Sequence, residues 1–249
     1  MPRDQRYCAF CGAAGMTKQH VFGKRLLALL KGRVGTHLIL DRSPSGTETK
    51  KRPGNVWSRQ LRRVCSNCNN GWMRQLEESA YDVLSGLIIG DITTISREYH
   101  GILAARLALV IMVASLSKDE ADSISIDERG NLRLRTLPPT DWQIFLCRSD
   151  CTIEEGQYYY SDCFTGEAVD ASNNPINLKA HVTTFVLGKL CVHAISKGYG
   201  NLKGYSGINI APIWPAPGAD IDMGATSILN PTKVFELSSV ARRHGFPPG

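Results

Sequence analysis

The feature that most constrains this chain is a matched pair of Cys-x2-Cys knuckles, Cys8-Ala-Phe-Cys11 and Cys65-Ser-Asn-Cys68. Each knuckle presents two thiolates from one tight turn, and two knuckles complete a tetrahedron around Zn²⁺. Two disulfides would suit the same spacing only in an oxidising compartment. Met1 to Arg6 is polar and shows no sign of a signal or transit peptide. A redox Cys-x-x-Cys usually stands alone. We therefore expect one closed structural zinc site built from Cys8, Cys11, Cys65 and Cys68, with no open position for chemistry. Cys147, Cys151, Cys163 and Cys191 lack knuckle spacing and lie in apolar, strand-like stretches, where buried free thiols are expected.

Charge separates the segment around the knuckles from the rest. The chain carries 29 Lys+Arg against 23 Asp+Glu, a net of +6. Residues 1–75 hold 15 of the basic residues and 3 of the acidic ones, so the N-terminal part is +12 and the remainder −6. A field with that direction favours a polyanion, and nucleic acid is the expected partner. A membrane surface would call for a longer basic amphipathic helix than Lys24 to Lys31 offers. The longest apolar stretch, Ile102 to Leu116, is interrupted by Arg106 and falls short of a bilayer's ~20 residues. It reads as a buried helix in a soluble, cytoplasmic protein with no membrane partner.

The pattern predicts an α+β chain in three parts. Residues 1–85 form a zinc-stapled module, 86–118 connecting helices, and 119–249 a mainly antiparallel β domain. Residues 32–56 are rich in Gly, Ser, Thr and Pro and read as a long exposed loop. Trp57 to Val64 reads as a strand entering the second knuckle, and helical spacing begins at Asn69. A second helix is expected from about Ile95 to Lys118, then a polar linker from Asp119 to Gly130. Strands are expected at Trp142 to Cys147, Gln157 to Phe164, Ile176 to Ala194 and Tyr205 to Ile213, and a terminal helix from Asn230 to Arg243.

Between the knuckles stands His20, within Lys18-Gln19-His20-Val21-Phe22, and directly after the second stands Asn69, within Cys68-Asn69-Asn70-Gly71-Trp72-Met73. With these motifs the first third of the chain resembles the zinc-knuckled branch of the HNH endonuclease superfamily. Ile213-Trp214-Pro215 is similar to a motif of a related bacterial and phage group. The resemblance implies a ββα-metal module holding one catalytic divalent cation, which could be Mg²⁺, Mn²⁺, Ni²⁺ or Zn²⁺. By position it implies His20 as general base, Gln60 as the residue orienting it, and Gln19 and Asn69 as metal ligands. Lys50, Lys51, Arg52, Arg59, Arg62 and Arg63 would line the nucleic-acid backbone, contacts that position the strand without reading its sequence.

Two positions depart from that pattern. Gln19 stands where an acidic ligand is usual, and a hard cation prefers charged oxygen. Gln60 stands where Asn is usual. The competing expectation is therefore a zinc-stapled nucleic-acid or protein-binding module whose catalysis is lost at Gln19. A toxin or defence effector partnered through the C-terminal part is a third.

Overall fold

The computed structural model describes residues 7–29, 37–43, 46–52, 60–116, 124–151, 159–169, 175–196 and 207–239, with backbone alone at 27, 37–43, 46–52, 162–169 and 175–179. The fold is mixed α+β. Strand β1 (Met16–His20) leads into a short helix α1 (Lys24–Leu29). A hairpin follows, β2 (His37–Ser43) and β3 (Gly46–Arg52). Strand β4 (Gln60–Cys65) then runs directly into α2 (Ser66–Cys68), a π turn (Asn69–Met73) kinked at Gly71, and α3 (Arg74–Ile89). Strand β4 pairs antiparallel with β1, so His20 lies opposite Gln60 and Met16 opposite Cys65.

Beyond α3 come β5 (Thr94–Ile95), α4 (His100–Ser115) and α5 (Ile126–Arg135). The remaining elements are β6 (Gln143–Ser149), β7 (Tyr159–Val169), β8 (Pro175–Leu187), β9 (Leu190–Ile195), β10 (Ala211–Trp214), β11 (Ile221–Asp222), β12 (Ile228–Leu229) and α6 (Pro231–Ser238). The main sheet has the order β10-β6-β9-β8-β7-β2-β3, with β12 alongside β6. It is antiparallel except at β2–β7 and β12–β6. Strand β9 is Leu-Cys-Val-His-Ala-Ile, buried at every position, as a strand covered on both faces must be.

Those two faces are covered by different helices. Helix α4 is apolar all round, and every residue from Leu103 to Ser115 is buried. A helix without a polar face belongs in a core. By length and composition alone Arg97–Ser115 could span a membrane, but here 72% of it is buried inside the fold. On the opposite face, Val234 and Leu237 of α6 pack with Leu229, Val186, Cys147, Cys151 and Cys191. These three cysteines are free and buried, while the side chain of Cys163 lies outside the described residues.

Four expectations from the sequence differ in detail. The stretch read as a long exposed loop contains β2 and β3, which extend the main sheet through the parallel pairing of β2 with β7. Strand β3 is polar and β2 has only the short apolar run Leu38-Ile39-Leu40, so neither carries the alternation of apolar and polar residues that a pattern search finds. The stretch read as linker, ending at Gly130, contains the first half of α5, started by a capping box in which Ser125 and Glu128 satisfy each other's backbone N–H groups. Glu128 also accepts from the indole of buried Trp142 at 2.9 Å, so a charged helix is fixed by one buried polar contact. The long strand expected from Ile176 to Ala194 is the hairpin β8–β9. It turns at Gly188, φ +56, where a Cβ would sit 2.4 Å from the Ile88 carbonyl oxygen at the end of α3. Finally, α6 spans only part of the expected terminal helix; residues 240–249 lie outside those described.

Candidate metal centre and adjoining histidine site

The first knuckle is closed by backbone bonds from Cys8 N–H to the Ala13 carbonyl (2.8 Å) and from Gly12 N–H to the Cys8 carbonyl (2.9 Å). It is fastened to the second through β4, since Ala9 N–H donates to the Arg63 carbonyl at 2.9 Å. Cys65 ends β4 and Cys68 ends α2, one helical turn later. The four Sγ atoms lie within 4.8 Å of one another, and Cys11 Sγ is 3.6 Å from Cys65 Sγ. Zn–S bonds of ~2.3 Å at tetrahedral angles put sulfurs about 3.8 Å apart. The four thiols therefore fit a structural metal ion such as zinc. Burial pushes the Cys65 thiol up, but the Cys68 backbone N–H and the neighbouring thiols outweigh it and hold its pKa at about 7. A thiol so placed gives up its proton readily to a metal. Phe10, buried beside the knuckle, meets half-buried Trp72 edge to face at 5.6 Å, so Trp72 serves the core here.

His20 ends β1 at the far end of the same hairpin. Gln60 holds it from across the strand pair, with its side-chain Nε2 2.8 Å from His20 Nε2. The other ring nitrogen, Nδ1, is buried and has no hydrogen-bond partner among the described residues. Burial and the ammonium of Lys24 lower the His20 pKa, while Glu77 opposes them. Phe22, two residues on, is fully buried and packs edge to face on Phe185 of β8 at 5.7 Å. That contact locks the turn after His20 to the main sheet.

Gln19 and Asn69 are both turned toward backbone. The Gln19 amide donates to the His20 carbonyl at 2.9 Å. The Asn69 amide donates to Thr17 Oγ1 at 3.1 Å and to the Lys18 carbonyl at 3.5 Å, stapling the start of the helix to β1. The side-chain oxygens of both make no hydrogen bond among the described residues and suit a hard cation, but neither carries charge. Among the described residues, the only His, Cys, Asp and Glu side chains clustered closely enough to hold a metal are the four cysteines. Comparison of the chain with protein-family models, curated proteins and solved structures finds no match.

Of the basic residues singled out in the sequence, Arg62 is exposed on β4 and Arg63 is half-buried beside it. Arg59 lies outside the described residues, as do the side chains of Lys50, Lys51 and Arg52 on β3. Lys18 and Lys24 are exposed near His20.

Sequence reasoning did not single out Glu77 as a site residue. Its position in α3 looked like an ordinary solvated helix face. The turn after His20 passes over it instead, and a Cβ on Gly23 would lie 2.1 Å from Glu77 Oε1. Gly23, at φ +73, has the left-handed backbone that asks for glycine. Behind Glu77 stands Arg106 of α4, 3% exposed, with Nη2 4.0 Å from the Glu77 carboxylate and donating to the Phe22 carbonyl at 3.2 Å. The available signal was Arg106 itself, the single charge in an otherwise apolar helix, because a buried cation requires a partner.

Proposed function

We propose that this chain is an HNH-type, metal-dependent endonuclease of the cytoplasm that hydrolyses phosphodiester bonds in nucleic acid, DNA foremost. The observation that carries this reading is the 2.8 Å contact between Gln60 and His20 at the end of the β1–β4 hairpin, followed immediately by the helix bearing Asn69. Gln60 orients the ring through its contact at Nε2. The neutral imidazole then takes a proton from water as the water oxygen attacks phosphorus, and the P–O bond to the leaving oxygen breaks. A ring pKa lowered by burial and Lys24 favours the unprotonated base. Gln19 and Asn69 would hold a divalent cation through their side-chain oxygens, and such an ion offsets charge building on phosphate and leaving oxygen. Arg62 and Arg63, with Arg59 and the β3 residues Lys50, Lys51 and Arg52, would carry the strand to the site by backbone charge.

Plasmid relaxation with Mg²⁺, Mn²⁺ or Ni²⁺, comparing the native chain with His20→Ala, tests the proposal. Metal-dependent cleavage lost in His20→Ala is the expected result; equal cleavage by both chains would refute it. One observation favours a second reading, a zinc-stapled binding module: the Gln19 amide already serves the His20 carbonyl and brings no charge. Under the nuclease reading Gln19→Glu raises cleavage at low metal concentration. Under the module reading it stays inactive and binds nucleic acid slightly more weakly.

A further inference from the structure

Helix α5 is built inside out. The residues it turns toward the fold, Glu128, Arg129 and Leu132, are buried, and two of the three are charged. Its solvent face carries Ile126, 60% exposed, and Leu134, 76% exposed, the two most exposed large apolar side chains among the described residues. Single exposed apolar residues need no explanation, but a surface helix normally points its apolar stripe at the core. Between the two lies Gly130, where a Cβ would meet no atom within 4 Å.

The same face has an order that matches itself when reversed. Ile126 and Leu134 stand four residues before and four after Gly130, and Asp127 and Arg133 three before and three after. Positions three and four apart share a helix face, so these five residues lie on one side of α5. Asp127 and Arg133 are exposed and make no ion pair among the described residues. A two-fold axis through Gly130 lays two copies of α5 antiparallel. Ile126 of each copy then meets Leu134 of the other, and Asp127 of each meets Arg133 of the other. An isologous contact requires this kind of self-complementarity. A parallel pairing would set like charge against like, which costs affinity. Glycine is unfavourable inside a helix, but here it leaves the crossing point clear of any side chain.

We propose that this face of α5 is a docking surface for a second copy of the same chain, giving a two-fold dimer whose α5 helices run antiparallel and cross at Gly130. Charge selects the occupant: Asp127 and Arg133 sit at symmetry-related positions, so the face complements itself. The contact is small. Two ten-residue helices, extended at the edge by Leu137, 37% exposed, fall at the low end of specific interfaces, and a reversible dimer with Kd of about 10–100 µM is expected. The inference is independent of the nuclease reading.

The test is sedimentation velocity of the zinc-loaded full chain from ~1 to ~300 µM, a range that brackets the expected Kd. The native chain should pass from monomer to dimer across it. Leu134→Asp changes an exposed side chain, so it should keep native melting while weakening association at least ~10-fold. Asp127→Arg alone and Arg133→Asp alone each set like charges together and should weaken it ~10-fold. An equimolar mixture of those two variants restores both opposite-charge pairs and should dimerise about as well as the native chain. The double variant Asp127→Arg/Arg133→Asp should do the same. Both native charges also suit the helix dipole, but that role alone gives losses that add in the double variant and no recovery on mixing. A chain monomeric throughout overturns the proposal. So does a dimer indifferent to Leu134→Asp, or a mixture that associates no better than its parts.

Discussion

Gln60 and His20 face one another across the last pair of the β1–β4 hairpin, side-chain amide to imidazole at 2.8 Å. They are 40 residues apart in sequence, and the intervening hairpin β2–β3 belongs to a different sheet. An amide here holds the ring plane and selects the nitrogen that bears the lone pair. Gln60→Ala should lower metal-dependent plasmid cleavage ~10–100-fold, with thermal melting unchanged because the contact lies on the exposed side. Gln60→Asn, shorter by one methylene, should fall between. Initial rates of supercoil relaxation measure both, and a Gln60→Ala rate equal to native would remove Gln60 from the site.

The four thiols predict a metal that holds the fold. Protein purified without chelator should contain one zinc per chain by elemental analysis. Cys65→Ser should lose it and unfold the segment around the knuckles, since such sites contribute ~10 kcal/mol or more of apparent folding free energy. Circular dichroism and zinc content of that variant measure the loss. A chain that retains its fold and melts normally after zinc removal would show the cluster to be dispensable.

Arg62 is exposed on β4, on the strand that carries Gln60. Arg62→Glu should weaken binding to duplexes of every sequence alike and reduce the slope of log affinity against log salt by about 1. Reversing Arg63 as well should weaken binding further and also lower stability, because that side chain is half-buried and its backbone supports the first knuckle. Fluorescence anisotropy across a salt series separates the two effects. An unchanged salt slope in Arg62→Glu would place the nucleic-acid track elsewhere.

His193, buried in β9 with Nδ1 2.7 Å from Thr184 Oγ1, predicts an acid sensitivity unrelated to the proposed site. Burial holds its pKa at about 3 in the fold, against about 6.5 when unfolded. Below pH 6.5 the unfolded chain takes a proton that the folded chain refuses. The stabilisation from neutral His193 is therefore complete above pH 6.5 and declines as pH falls toward 3, by at most about 1.4 kcal/mol per pH unit. Urea unfolding of the native chain and His193→Gln at pH 7, 5.5 and 4.5 isolates this effect, because zinc loss in acid is common to both. Parallel stability curves for the two proteins would show that His193 titrates normally.

Spacing alone made several things legible. Two Cys-x2-Cys pairs specify a four-thiolate cluster because the ligands are local in pairs and only one closure joins the pairs. The run from Ile102 to Leu116, broken only by Arg106, specifies a buried helix because no face of it is suited to water. The Asn69 helix start and most strands of the main sheet were visible for similarly local reasons. Whether His20 and Gln60 met could be expected only from the resemblance, since a cross-strand contact depends on register and not on either residue's neighbours.

What only the tertiary structure decided is long-range pairing of polar groups. Strands β2 and β3 formed because β7 offered β2 an edge, although their sequences, apolar only at Leu38 to Leu40, have no period to show. Helix α5 stands where its composition suggested a linker, because Ser125 caps it and Trp142 finds Glu128. Glu77 looked like one more solvated carboxylate on α3 until the turn at Gly23 and the guanidinium of Arg106 closed around it. Apolar burial repeats with the period of the element and can be read along a chain. A buried polar contact joins two particular atoms from distant segments, and only the folded backbone brings them together.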